Sequence, residues 1–600
     1  MILNRLYDLA LRKQLLDDPA FETQPVPYHV VLDEGGKFLG ITEHRGENVT
    51  IKKTKKGEAV KRTLDRGRAQ SVPRPHGNTA SQGFARFFVD TLPRVLPVVV
   101  EEIDRAKIER SRNTFWAQIA TAAVASNDTA LQCVQAFGKR LSEDETLAGE
   151  IRAALEEKNA ENNDRVTFEY HPDGGPNILA RPGVRKWYAD FFTKFTATKQ
   201  KDGRSGFCTL TGRLGPLPAS HPMKLSGIPG GLPTGVSLVS FDKAAFQHYG
   251  LDGAENAAIG YEGADGYARA FQWLRGNKDH HLVIGGTLFL FWTKQDSETD
   301  FIMALDRAEP EQVKNLLERL TKGQHGDAIE DPDEFYLLAV SGNSARAIIR
   351  EYLERPLGQV RSAIGGWFKD LRIADSSREH QGQPNAAFPM WMLASATAFD
   401  SEGVAPDTHS RLMRAALTGR SLPDSILAAC LGRLRAEGSE GFRTARLGLI
   451  KLCLNRNQFP EGEPMNETLD ADATHKAYLY GRLLRIFEEI QYAALGDVNA
   501  NVVDKFYSTF SAAPALVFAR LYSNAQNHLR KLRSENPGTA VNLDKRLADV
   551  SSKLPASPPS GTLSLQDQGR FALGYYHQKA RTFAEIAERR AEKAAKAESK

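Results

Sequence analysis

From Ala477 onward, apolar residues recur at intervals of three and four, so the last quarter of this chain must fold as a packed helical bundle. Leu479, Leu483, Ile486, Ile490 and Ala494 form one stripe, with Arg482, Arg485 and Glu489 off it. Val502, Val503, Phe506 and Phe510 form a second, shorter stripe. Pro514 suits the first turn of a third helix, where its missing N–H does no harm. That helix is expected to bury Leu516, Phe518, Leu521, Ala525, Leu529 and Leu532. It ends in Arg530, Lys531 and Arg533, which complement a helix C-terminus or contact phosphate. Ser564 and Asp567 give a capping signal for a final helix that turns Phe571, Tyr575, Phe583 and Ile586 inward, with Lys579 and Arg581 pointing elsewhere.

Six hundred residues exceed what one core supports, so two to four domains are expected. Ahead of the bundle the pattern is mixed. Residues 28–32 and 37–42 are β-prone and flank Asp33-Glu34-Gly35-Gly36, a hairpin signal. Residues 49–53 and 59–63 make a second ribbon. Residues 91–158 turn helical. Residues 236–241, 282–292 and 335–339 read as strands, and 264–274 as a helix. After Ser344 the chain reads as mostly helical, and 460–472 is a polar break that contains Met465. The expected class is α+β. A mixed N-terminal region with β-hairpins spans 1–340, a helical region 341–464 and a helical bundle 465–600.

The chain holds 78 Lys and Arg against 74 Asp and Glu, so its net charge of +4 decides nothing and distribution matters more. Lys52, Lys53, Lys55, Lys56, Lys61, Arg62, Arg66 and Arg68 crowd into seventeen residues, opposed only by Glu58 and Asp65. A basic two-stranded ribbon grips a phosphate backbone, or it is a solvated edge that uses lysines against aggregation. The next segment, SVPRPHGNTASQGFARFFVD, holds Arg74, His76, Gly77, Asn78, Thr79, Ser81 and Gln82 in a loop. Asn and Gln pair with adenine edges, Arg pairs with guanine, and a glycine lets backbone approach closely. An ordinary polar loop has the same composition.

Catalytic signatures are missing. No HExxH, GxxxxGK[ST], GxSxG or GxGxxG pattern occurs. His280 and His281 point to opposite faces of a strand, His221 has no evident partner, and Cys208 reads as a buried structural thiol. The four cysteines, Cys133, Cys208, Cys430 and Cys453, contain no CxxC pair, which argues against a zinc ribbon or a disulfide framework. No metal, cofactor or enzymatic activity is expected. No apolar run approaches bilayer-spanning length. A reducing cytoplasm is the expected location.

Several long blocks, in order, resemble one family. They are MILNRLYDLA, CTLTGRLGPLPASHPMKLSGIPGG, GVSLVSFDKAAFQHYG, FYLLAVSGNSARAIIREYLE, AYLYGRLLRIFEEIQYAALGDVNANVVDKFY and QGRFALGYYHQK. Together they resemble the large subunit of the type I-C (Dvulg subtype) CRISPR Cascade surveillance complex. The block after VPRPHGN departs from the family pattern and reads TASQGFARFFVD. The resemblance implies a subunit that works with guide CRISPR RNA and Cascade backbone subunits. It implies recognition of a protospacer-adjacent motif in target double-stranded DNA, help in duplex opening and R-loop formation, and a platform for a helicase-nuclease. It also implies a C-terminal bundle resembling the Cascade small subunit, which an internal start near Met465 would make as a separate product. On this reading the ribbon of residues 52–68 holds phosphates, Arg74 to Gln82 read the motif with Asn78 foremost, and Arg482, Arg530, Lys531 and Arg533 steady the displaced strand. The alternatives are an RNA-scaffold subunit without duplex contact and a nuclease with an unrecognised site.

Overall fold

The computed structural model describes residues 2–45, 50–53, 59–63, 67–75, 85–97, 105–174, 178–199, 205–218, 220–221, 223–251, 253–321, 333–377, 382–457, 464–557 and 559–598. The chain is mixed α+β, with small sheets and hairpins toward the N-terminus and a helical C-terminal region. It divides into two compact units. One comprises residues 3–223 and 239–270, the other 224–238 and 271–600.

In the first unit the strands are β1 (Phe21–Pro25), β2 (Tyr28–Leu32), β3 (Phe38–Glu43), β4 (Thr50–Lys53), β5 (Ala59–Thr63), β6 (Ala69–Pro73), β7 (Asp90–Thr91) and β8 (Arg165–Tyr170). A four-stranded sheet has the order β3-β2-β8-β7, with β2 and β8 parallel and the other pairs antiparallel. Period-two alternation sets its faces. Tyr28, Val30, Val166 and Phe168 point to one side and are fully buried. There Phe168 meets Phe115, Trp116 and Phe137 from the helices Arg105–Ser126 and Thr129–Glu143. Asp128 caps the second of these through the amides of Ala130 and Leu131. β1 pairs with β6, and β4 pairs with β5 as a separate two-stranded ribbon whose register shifts between Ile51 and Lys53.

The second unit is built on an antiparallel meander, His281–Ile284, Thr287–Thr293, Glu334–Asn343 and Arg346–Pro356 in that order. Every residue of Thr287–Thr293 is buried, as its unbroken apolar run requires of a strand covered on both faces. The helix Leu357–Leu371 buries Leu357, Val360, Ile364, Phe368 and Leu371 along one stripe. One continuous core runs from Leu282 through Tyr576. The helices Lys476–Leu495 and Leu565–Glu598 cross at two glycines. A Cβ on Gly481 would lie 2.0 Å from the Phe571 carbonyl, and one on Gly574 would lie 2.1 Å from that of Tyr478.

This core corrects the three-part division. Residue 340 lies inside the strand Glu334–Asn343, so no boundary falls there. Met465 packs on the shared core, and Asn455 holds its backbone N–H and carbonyl at 2.7 and 3.1 Å. Residues 282–292 are a hairpin turning at Gly285-Gly286, not one strand. Residues 236–241 form only isolated bridges, and an eleven-residue strand, Arg346–Pro356, follows Ser344. Pro514 opens a short 3-10 turn, the helix begins at Phe518, and Leu516 is exposed. Phe583 and Ile586 are also exposed, lining an open cavity between the final helix and residues such as Glu489, Tyr492 and Leu543. The helix Pro537–Ser552 went unforeseen.

Candidate nucleic-acid interface

The basic ribbon and the polar loop leave the fold at opposite ends of β6. Gly67 and Arg68 precede that strand and Arg74 follows it. At the ribbon's root the Arg68 amide donates to the His44 carbonyl (3.0 Å), and the His44 amide donates to that of Pro27 (2.8 Å). Gly67 sits at φ +98°, and a Cβ there would lie 2.5 Å from Pro27 Cα, so only glycine fits. Lys52 and Lys53 lie in β4, and Lys61 and Arg62 lie in β5. Lys55, Lys56 and Arg66 lie outside the described residues. The Arg68 side chain is exposed and makes no ion pair among the described residues.

The loop's root is a buried ionic clamp. Arg74 is 4% exposed, and its guanidinium pairs with Asp265. It also donates to the carbonyls of Pro19 (3.0 Å) and Phe21 (3.2 Å) and approaches Glu22 at 3.7 Å. The carboxylate of Glu22 also pairs with Arg86, next to Ala85, where the described chain resumes. The Arg86 amide donates to Asp90 (2.7 Å). Phe87 stacks on Tyr188 with ring centroids 5.0 Å apart, and the Tyr188 hydroxyl donates to the Arg74 carbonyl. Burial pushes the Asp265 carboxyl up to about 6, against the opposing pull of Arg74 and Arg269. Arg74 is thus corrected from a base-reading residue to an anchor, because its fork is spent on buried acceptors. His76, Gly77, Asn78, Thr79 and Gln82 lie outside the described residues.

The C-terminal candidates separate cleanly. Arg482 is buried and donates to Gln578 (3.1 Å) and to the carbonyls of Asp470 (3.2 Å) and Ala471 (3.4 Å). Its expected contact with a displaced strand is corrected, since its guanidinium serves the bundle interior. Lys531 donates to the Ala494 carbonyl (2.8 Å), and Arg533 pairs with Asp544 (2.9 Å) at the surface. The Arg533–Asp544 pair and that of Lys531 with Glu535 at 3.7 Å are both exposed and therefore weak. Arg530 is exposed with no ion pair among the described residues. Arg520, one of the residues sequence reading passed over, is exposed on the same helix Phe518–Glu535 and lies over the Phe506 ring at 5.3 Å. That helix carries one acid, Glu535. Its charge count was legible, but its exposed face was not.

Groups with chemical potential elsewhere have structural partners. His280 and His281 bond the carbonyls of Phe291 and Asn277. His221, expected to be partnerless, meets the Tyr267 hydroxyl at 2.7 Å, and burial lowers its imidazole to about 4. All four cysteines are buried and free. Among the described residues, no helix is long and apolar enough to cross a membrane.

A family model described as CRISPR-associated protein (Cas_Csd1) matches residues 3–583. No curated protein matches the chain.

Proposed function

Since this chain belongs to the Cas_Csd1 family of CRISPR-associated proteins, we propose that it serves as the large subunit of a type I-C Cascade and holds the flank of the target duplex. The family places it in a complex with CRISPR RNA and other Cas subunits. The finer role rests on how the ribbon and loop are rooted. Arg74 lies six residue steps beyond Arg68 along extended chain, which at about 3.3 Å each gives roughly 20 Å. Two recognition segments held that far apart suit one duplex, since the major groove is about 12 Å wide. The ribbon meets phosphates while the loop enters the neighbouring groove.

Phosphate contacts set register and base contacts set sequence. The ribbon therefore supplies affinity, and the loop, through Asn78, supplies motif choice. The exchange of duplex for heteroduplex is nearly balanced in RNA-guided recognition, so modest contacts of this kind tip it. Arg520 and Arg530 offer the displaced strand a cationic helix. The subunit binds and presents DNA, and cutting falls to a recruited helicase-nuclease. The C-terminal helices act as the small-subunit-like part of the assembly.

Asn78→Ala in the assembled complex tests the reading. Binding to a target with the correct flanking motif should fall toward that of a scrambled flank, a loss of about 1–3 kcal/mol of discrimination. Undiminished discrimination removes Asn78 from the reading loop.

A further inference from the structure

The face of the four-stranded sheet away from the aromatic core carries an unusual set of side chains. Alternation along β2, β3 and β8 turns His29, Thr42, Thr167 and Glu169 to that side, and His44 continues it just past β3. His29 and Glu169 are buried, and His44 is partly exposed. His29 Nδ1 lies 2.6 Å from Glu169 Oε1, and His44 Nε2 lies 3.2 Å from the same oxygen. The two imidazoles are 4.2 Å apart. One donor atom from each of the three residues falls within a 4.8 Å span. They line a cavity of about 310 Å³ with Arg68, Gln70 and Arg185.

We propose that His29, His44 and Glu169 bind one divalent transition-metal ion of the Zn²⁺ class at the root of the basic ribbon. Bonds of about 2.0–2.1 Å in a tetrahedral site hold donors about 3.3 Å apart. The present separations of 2.6 and 3.2 Å therefore open by less than about 1 Å, and the third, within 4.8 Å, closes by up to about 1.5 Å, when the ion replaces the hydrogen bonds. Gln70 sits 2.7 Å from His29 Nε2. With its amide turned to offer oxygen, it accepts the second imidazole N–H and fixes the ring. The fourth position faces the cavity. Arg185 there is already paired with Asp17 at 2.7 Å, whereas Arg68 makes no ion pair among the described residues, so an oxygen anion or hydroxide suits that position. Because the His44 carbonyl accepts the Arg68 amide, the ion ties the ribbon's root to β2 and β8. This site stands apart from the nucleic-acid reading and does not need it.

The test uses the full chain, stripped with chelator, reloaded with Zn²⁺ alone, dialysed and analysed for metal. One equivalent is expected, with a raised melting temperature and, after Co²⁺ substitution, visible d–d absorption of a tetrahedral N/O site. Glu169→Gln and the partly exposed His44→Ala should each weaken Zn²⁺ binding at least about tenfold, and Gln70→Ala about 10–100-fold. Melting of each metal-free variant shows whether it is folded. Substoichiometric Zn²⁺ in the wild type, or unchanged binding in folded Glu169→Gln and His44→Ala, overturns the proposal and leaves a proton-shared network.

Discussion

Replacing Glu22 with Gln keeps the shape of the loop's clamp and deletes its shared charge. Glu22 is 13% exposed at the side chain and serves Arg86 directly and Arg74 at 3.7 Å. Arg74 retains Asp265 and two carbonyls, so it stays seated. Arg86, 17% exposed at its side chain, loses the one carboxylate it pairs with among the described residues. Removing one partner of a buried pair costs about 3–5 kcal/mol. Partial exposure of Arg86 and the retained Arg74 contacts reduce that to about 2 kcal/mol of local stability. The amides of Arg74 and Arg86 report it, since they donate to the Ala20 carbonyl and to Asp90, both at 2.7 Å. At 1.4 kcal/mol per factor of ten, their hydrogen exchange should quicken about 30-fold. The His44 amide, at the ribbon's root, should keep its rate. In the assembled complex motif discrimination should fall while the salt slope of duplex binding holds. Exchange at Arg74 and Arg86 within about threefold of wild type would refute the clamp, as would an equal acceleration at His44.

Other substitutions separate anchoring from contact. Arg482→Met should lower stability by about 3 kcal/mol in denaturant unfolding, because Gln578 and two carbonyls lose a charged donor. Arg530→Gln should leave stability within about 0.5 kcal/mol and weaken displaced-strand crosslinking instead. Burial drives the His577 imidazole down to about 3, with the Tyr478 hydroxyl 3.0 Å from Nδ1. The folded state therefore binds fewer protons than the unfolded one between about pH 6.5 and 3. The stability from keeping it neutral is complete above pH 6.5 and is lost as pH falls toward 3, to an extent of order 5 kcal/mol. His577→Phe should flatten that part of the pH–melting curve.

The sequence made the local elements legible because local rules write them. The 28–43 hairpin, the 49–63 ribbon, the amphipathic Lys476–Leu495 helix and the Ser564 cap all emerge as expected, the cap with the Asp567 amide on Ser564 Oγ at 3.1 Å. What stayed hidden depends on residues far apart in the chain. Arg74 looked free because Asp265, its partner, lies 191 positions away. Arg482 fell off the apolar stripe and yet is buried, because the final helix supplies Gln578, 96 positions on. The three-part division failed for a related reason. A polar stretch around Met465 signals a linker, but Asn455 and the shared core bind it back. The His29–His44–Glu169 cluster joins β2, β8 and the residue just past β3, with His44 and Glu169 about 125 positions apart, which no local spacing announces.

The most direct test of duplex holding is the salt dependence of target binding by the assembled complex with Lys52, Lys53, Lys61 and Arg62 changed to Gln. Each phosphate contact removed should reduce the log–log slope by roughly 0.9, so the slope should flatten by up to about 3.6. A slope identical to that of the wild-type complex would show that the ribbon never meets the duplex.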